Sequence, residues 1–151
     1  MKRKDVKKYQ KITRQKLEEA GIPILDETKI EIADFGLNKF EEIGLALVTR
    51  INEKEYCSKW LIIFPKQVCP EHYHELKKET FFCHKGCVML NLPDKTITLN
   101  PGEYYTLEKG NKHSFTSKKG AIVEEISTYD ENADSFFTNK NIIRDSIIED
   151  D

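Results

Sequence analysis

The sequence predicts an all-β protein, an antiparallel sandwich or barrel with one helix at its N-terminal end. Three observations lead there. Short apolar runs of strand length recur from Lys29 to Thr128. Breakers rich in glycine and proline separate them at nearly regular intervals. No helical periodicity lies between the runs, which disfavours a parallel sheet of strand–helix–strand units. A chain of 151 residues suits one domain with one sizeable core. Its expected parts are a helix within residues 1–21, a barrel over 29–128 and a covering segment over 129–151.

Composition narrows the class. Charged residues make up 33% and hydrophobic residues 38%, and no apolar run approaches the roughly 18 to 20 residues that span a bilayer, so no membrane partner is expected. Met1-Lys2-Arg3-Lys4 is basic but no apolar stretch follows it, so no secretory signal is expected. The four cysteines, Cys57, Cys69, Cys83 and Cys87, are then expected as reduced thiols of a cytoplasmic protein. The basic stretch from Met1 to Lys16 has Asp5 as its one acid. Without interleaved aromatics it reads as a solvated helix face, and no nucleic-acid partner is expected.

The elements follow in order. Asp5 to Ala20 is expected as a thinly apolar outer helix: Val6, Tyr9, Ile12 and Leu17 recur near a 3.6 period, and Gly21 with Pro23 closes it. Lys29 to Phe35 alternates until Asp34-Phe35-Gly36-Leu37-Asn38 breaks it. Ile43 to Ile51 is aliphatic, and Asn52-Glu53-Lys54-Glu55 turns the chain. In Tyr56 to Phe64, the run from Trp60 to Phe64 is too apolar to be exposed on both faces. Pro65-Lys66-Gln67 leads into a histidine-bearing strand. Glu79 to Cys83, Cys87 to Leu92, Lys95 to Leu99, Glu103 to Leu107, His113 to Ser117 and Ala121 to Thr128 complete the series. His84-Lys85-Gly86, Pro93-Asp94, Asn100-Pro101-Gly102, Lys109-Gly110-Asn111 and Lys118-Lys119-Gly120 are the expected breakers. Phe136-Phe137 and Ile142-Ile143 should pack as a C-terminal cover.

The chemistry concentrates in Cys69-Pro70-Glu71-His72-Tyr73-His74, followed by Glu79. Side chains at i and i+2 of a strand leave the same face, so His72 and His74 can enter one cavity. Glu79 has the wrong parity on an uninterrupted strand and joins them only if Glu75 to Lys78 turns and resets the register. Two neutral imidazoles and a carboxylate make a partial ligand set for a divalent metal. Alone, a His-x-His pair is more often structural. Cys69 reads either as a soft ligand or, more commonly, as a small buried apolar residue.

The pattern His72-x-His74-x4-Glu79-x6-Gly86, followed by Gly102-x7-Gly110-x2-His113, resembles the two cupin motifs. Lys66 stands where the first motif usually has glycine, Glu108 where the second usually has proline, and Ser117 where it often has asparagine. The resemblance implies a cupin-type jelly-roll barrel and a metal held by His72, His74, Glu79 and His113. His84, one position off the face of Glu79, Phe81 and Cys83, is expected at the rim or surface.

Further stretches narrow the resemblance to the D-lyxose isomerase family of cupins. They are Tyr56-Cys57-Ser58-Lys59, Lys77-x-Glu79-Thr80-Phe81, Pro101-Gly102-x-x-Tyr105-Thr106 and Ala121-x-Val123-x-Glu125-x-Ser127, together with Asp34-x-Gly36-Leu37. Where that family often has Phe-Thr-Asp-Pro-Arg, this chain has Phe137-Thr138-Asn139-Lys140-Asn141. The resemblance implies a metal-dependent aldose–ketose isomerase that moves a proton between C1 and C2 of a sugar through an enediolate. It implies Glu125 as the base, Lys77 as a group acting on a sugar oxygen, Mn²⁺ as the metal and a homodimer. Strand parity puts Glu124 on the face opposite Glu125. The ligand types also admit Fe²⁺, Co²⁺, Ni²⁺ or Zn²⁺. Two other readings share the ligand set: a cupin dioxygenase, and a non-catalytic cupin that binds sugar or metal. Glu125 separates them, because an isomerase needs a second carboxylate near the metal and a binding module does not.

Overall fold

The computed structural model describes residues 1–151. One helix and eleven strands alternate with short turns: α1 (Arg3–Glu19), β1 (Glu31–Ala33), β2 (Leu45–Asn52), β3 (Cys57–Ile63), β4 (Val68–Tyr73), β5 (Glu79–Gly86), β6 (Val88–Asn91), β7 (Thr96–Leu99), β8 (Tyr104–Leu107), β9 (His113–Thr116), β10 (Ala121–Ser127) and β11 (Phe136–Phe137). A single 3₁₀ turn, Asn132–Asp134, precedes β11. The strands form two sheets, ordered β1-β2-β3-β10-β5-β8 and β11-β4-β9-β6-β7. Every strand pair is antiparallel.

Period-2 alternation sorts the larger sheet into two apolar layers. Leu61 and Ile63 of β3, Phe81 and Cys83 of β5, and Val123 of β10 face the smaller sheet and meet Cys69, Val88, Leu90 and Phe115. Trp60 and Ile62 of β3 and Ile122 of β10 face outward, where Val6 and Leu17 of α1 cover them together with Ile22, Phe40 and Phe64. The apolar run of β3 is therefore buried on both faces, one by a sheet and one by a helix. Each such buried aliphatic or aromatic side chain contributes about 1.5–3 kcal/mol. α1 is thinly apolar because it is a one-sided lid.

Two departures from the expected boundaries have local causes. β1 is shorter than the alternation from Lys29 to Phe35 because Phe35 (φ 55°) and Gly36 (φ 74°) turn left-handed, with the Gly36 N–H donating to Asp34 Oδ1 at 3.0 Å. β5 continues to Gly86 where a break was expected. The register with β10 slips between Ile122 and Val123, leaving His84 opposite no partner. Gly86 has φ 83°, and a Cβ there would collide with the Gly120 carbonyl oxygen, so this bulge requires glycine. Lys66, at the place where the first cupin motif usually carries glycine, also has a left-handed backbone (φ 66°). A non-glycine residue there costs on the order of 1–2 kcal/mol.

The C-terminal segment packs as a cover. β11 pairs with β4, setting Phe137 opposite His72. The Phe137 ring lies 5.4 Å from Phe35 and 5.3 Å from His72. The Ile143 N–H donates to the Phe35 carbonyl at 3.0 Å.

Candidate active site

Two backbone irregularities and one strand bring the metal-ligand candidates together. β4 carries a bulge: Cys69 pairs with Phe115 and His72 with His113, so three steps on β4 match two on β9. The extra residue turns both Cys69 and His72 inward although their parities differ. His74 follows on the same side. Bends at Glu75 and Leu76 then end the strand, and β5 starts with Glu79 facing inward. His113 opens β9 directly across from His72. All four side chains are buried.

Every imidazole is anchored through Nδ1 to a backbone carbonyl: His72 to Pro70 O at 2.8 Å, His74 to Asp134 O at 2.9 Å and His113 to Asn111 O at 2.9 Å. A carbonyl only accepts, so each Nδ1 carries the proton and each Nε2 lone pair faces the cavity. The three imidazoles present ligand atoms within 4.8 Å of one another. Glu79 joins them, with Oε1 3.1 Å from His113 Nε2 and Oε2 3.6 Å from His74 Nε2. Acceptor lone pairs thus confront one another. His113 Nε2 and both carboxylate oxygens of Glu79 have no hydrogen-bond partner. Unpaired buried polar atoms of this kind are costly unless a cation sits among them. The donor set of three imidazoles and one carboxylate fits a divalent metal, and the carbonyl anchors are the outer contacts such ligands commonly make.

Beside this centre lies a buried charge network. Lys77 Nζ is 2.9 Å from Glu79 Oε2, 3.2 Å from Glu125 Oε2 and 2.8 Å from Asp130 Oδ1. The approach to Glu79 Oε2 is an ion pair, although neither carboxylate oxygen has a hydrogen-bond partner. Lys59 Nζ lies 2.6 Å from Asp130 Oδ2. Cross-strand pairing sets these groups: Glu125 lies opposite Lys59 on β3 and Phe81 on β5, and Ser127 lies opposite Glu79.

Burial acts differently on each member. It raises the Glu125 carboxyl above its ordinary value, and the Glu79 charge adds to this against the opposing pull of Lys77. Burial also opposes charge on Lys77, but Glu125, Glu79 and Asp130 outweigh it and hold the ammonium well above its usual range. Glu79 and Asp130 resist burial in the other direction. Lys77 holds Glu79 well below the usual carboxylate range, and Lys77 with Lys59 does the same for Asp130. Burial, followed by the neighbouring imidazoles, lowers His72 well below 6.5, and burial also lowers His74. Both histidines are therefore neutral, the form that binds metals.

The cavity is small, about 50 Å³, and opens to solvent. Its polar wall includes Lys59, Lys77, Glu125, Asp130, Ser135 and Arg144, and its apolar wall includes Leu45, Leu47, Phe35 and Phe137. Cys69 lines it too, with burial pushing its thiol far up, so it stays a protonated apolar neighbour rather than a thiolate. His84 is exposed and packs edge-on against Trp60 at 5.3 Å, outside the cavity. Glu124 is on the outer face, 3.4 Å from Arg50.

Three residues of the site were not read from the sequence. Asp130 bridges Lys59 and Lys77. Arg144 reaches the cavity from the C-terminal segment and pairs with Glu31 at 2.6 Å. Asp134 holds the loop after His74 through three backbone N–H groups. All lie beyond β10, where polar sequence has no period to read. Asp130 and Asp134, acids before an aromatic pair, were the available signal.

The fold and the paired histidine motifs define a cupin, and the cupin-domain family model matches residues 60–129. The D-lyxose isomerase family model matches residues 6–93, more than half of the chain. The chain belongs to the D-lyxose isomerase family. It is 38% identical to the D-lyxose/D-mannose isomerase of Thermosediminibacter oceani, over 99% of this chain and 99% of that protein. It is also 38% identical to the D-lyxose ketol-isomerase of Cohnella laeviribosi, over 80% of this chain and 82% of that one. Among solved structures, a variant of the L-ribose isomerase of Acinetobacter sp. DL28, in complex with L-ribose, superposes with a TM-score of 0.82 at 13% identity, covering 99% of this chain and 98% of that one. The L-ribose isomerase of Geodermatophilus obscurus gives 0.81 at 15% identity, with the same coverage. At such identities the likeness concerns the fold alone.

Proposed function

We propose that this cavity interconverts an aldose and its ketose, with D-lyxose and D-mannose the first substrates to try. The chain is a sugar isomerase by family, and the proposal concerns which of its residues do the work. One observation carries it: three inward Nε2 lone pairs and the Glu79 carboxylate, which accepts no hydrogen bond, converge beside a buried pair, Lys77 and Glu125.

In this reading His72, His74, Glu79 and His113 hold one divalent cation, with Mn²⁺ favoured and Fe²⁺, Co²⁺, Ni²⁺ or Zn²⁺ compatible with the same donors. The bound cation supplies Lewis acidity, which polarises the sugar carbonyl and makes the adjacent C–H acidic. Glu125 takes the proton from C2 of the aldose and returns it to C1, giving the ketose. Its raised carboxyl makes it a stronger base than a carboxylate in water. Lys77 donates to the sugar oxygens and carries the matching hydroxyl proton from O2 to O1. Asp130 and Lys59 keep the Lys77 ammonium aimed at that edge of the cavity. Phe35 and Phe137 help to exclude water.

The four free cysteines support a reducing, cytoplasmic setting. On the outer face of the larger sheet Phe82 and Tyr104 bring their rings within 5.2 Å, and Tyr104 and Ile126 are exposed. These side chains support a homodimer, which sedimentation of the parent protein and of Ile126→Lys would test.

The deciding experiment incubates the Mn²⁺-loaded protein anaerobically in D₂O with a panel of pentoses and hexoses. Deuterium at C2 of recovered aldose, alongside ketose formation, is expected. Sugar recovered without deuterium and without ketose across the panel would falsify the assignment.

A further inference from the structure

The loop between His74 and Glu79 is the hinge of the ligand set, because it corrects the parity that would otherwise point Glu79 away. It has no regular secondary structure of its own. Three of its four backbone N–H groups go to a single side chain from the C-terminal segment, and the fourth, that of Lys78, donates to Thr128 Oγ1 at 3.1 Å. Asp134 Oδ1 accepts from Glu75 N at 2.9 Å and from Leu76 N at 3.1 Å, and Oδ2 accepts from Leu76 N at 3.2 Å and from Lys77 N at 3.0 Å. The same residue's carbonyl accepts from His74 Nδ1 at 2.9 Å. Asp134 is buried although its neighbours Glu131 and Asn132 are exposed. Nothing nearby neutralises the carboxylate; the three N–H groups are its partners. Charge-assisted bonds of this kind are roughly twice as strong as neutral ones.

We infer that Asp134 is a positioning residue that makes the metal centre conditional on the C-terminal segment being seated. One end of the residue orients the His74 ring, and the other fixes the loop that delivers Lys77 and Glu79. The neighbouring contacts tie the same segment to the other strand ligand: Phe137 pairs with His72 across β11 and β4, and Thr138 Oγ1 donates to Glu71 Oε1 at 2.7 Å. With the segment lifted, His74 loses the acceptor that fixes its tautomer, and the loop loses the contact that sets Glu79 inward. Linkage makes the effect reciprocal: a cation that binds better to the seated state draws the segment down by the same factor. The inference rests on the metal-site reading above.

The test uses Co²⁺, whose ligand-field spectrum reports donor geometry. Asp134→Ala removes the loop's acceptors, and Asp134→Asn keeps one of the two oxygens. Asn132→Ala is the control: it disturbs the same 3₁₀ turn by removing the contact to Asp145 Oδ1 at 2.7 Å, which touches nothing in the cavity. Asp134→Ala keeps the carbonyl on His74 but frees the loop that delivers Glu79; it should weaken Co²⁺ binding about 10- to 100-fold and alter its d–d bands, the range seen when groups that orient metal ligands are lost. Asp134→Asn should fall between, and Asn132→Ala should match the parent. In the parent, Co²⁺ should slow amide exchange at residues 75–77 and 132–138 together. That exchange measurement needs no variant to fold. Co²⁺ that slows exchange in one of these stretches without the other, or parental affinity and spectrum in Asp134→Ala, overturns the inference while leaving the metal site standing. A parent that binds no Co²⁺ overturns the metal reading and this inference with it.

Discussion

Lys77 and Glu125, 48 residues apart in the chain, meet at 3.2 Å between Nζ and Oε2 inside the sandwich. One sits at the end of an irregular loop and the other in the middle of the strand that β3 and β5 flank. Their contact joins the metal-ligand candidates to the proposed base, and most of what can be tested about this protein follows from it.

Glu125→Gln keeps the shape of the side chain and removes its basicity. Turnover should fall on the order of 10²- to 10⁴-fold, the usual cost of losing a general base, with metal content unchanged. Glu124→Gln, on the outer face beside Arg50, should retain parental turnover. Metal analysis and aldose–ketose assay on the same samples decide the matter. A metal-replete Glu125→Gln that turns over normally means the base is elsewhere.

A double substitution, His74→Ala with His113→Ala, should abolish stoichiometric divalent metal in a protein that still folds. A ligand that binds only the native state stabilises it by mass action, about 2.7 kcal/mol at a hundredfold excess over Kd. The parent's melting temperature should therefore rise on adding Mn²⁺ and that of the double variant should not. Undiminished metal in the folded variant would exclude these ligands.

Lys77→Ala removes the one ammonium shared by Glu79, Glu125 and Asp130. Stripping one partner from a buried ionic cluster typically costs about 3–5 kcal/mol. Urea unfolding of the metal-free variant at neutral pH should show a loss of that size. A loss below about 1 kcal/mol would mean that water or a proton replaces the lysine readily.

Acid should destabilise the metal-free protein in a defined window. Burial keeps both His72 and His74 below 6.5, helped at His72 by the neighbouring imidazoles and opposed at His74 by the Glu79 charge. The unfolded chain therefore binds protons that the native state refuses. Their contribution to stability is complete above about pH 6.5 and is lost as pH falls from there toward the lowered native values. The slope is up to about 1.4 kcal/mol per pH unit for each histidine. Glu125, raised from 4.5, acts in the opposite sense over a window that begins at that value, but two histidines oppose it. Urea midpoints measured from about pH 8 to about pH 5.5 should hold level and then drop. A midpoint unchanged at the acid end would show that these rings are protonated in the folded state.

Regular strands were legible from the sequence because alternation survives folding. Glu125 faces in and Glu124 out, as β10 parity requires, and Glu79, Phe81 and Cys83 share the inner face of β5. The apolar run of β3 was legible as one that could not be exposed on both faces, and α1 as an outer element; that α1 covers the second face of β3 is seen only in the structure. What could not be read is where the backbone departs from its period. The β4 bulge turns Cys69 and His72 the same way against their parity, and the strand break expected at His84-Lys85-Gly86 is a bulge that β5 runs through. Asp130, Asp134 and Arg144 were silent for another reason. Their partners lie far off in the chain, up to 113 residues away for Arg144 and Glu31, and no local pattern announces such a contact.

The extra residue in β4 also sets how this site can change over time. Cys69 and His72 stand three positions apart, so deleting Pro70 or Glu71 would leave them two apart, the spacing at which a regular strand turns both inward, and His72 and His74 would keep their face. Deleting Tyr73 is the heavier lesion, since it makes the two histidines adjacent and sends their imidazoles to opposite faces. Lineages descended from this chain are free to vary the residue between the two histidines, but not to lose it.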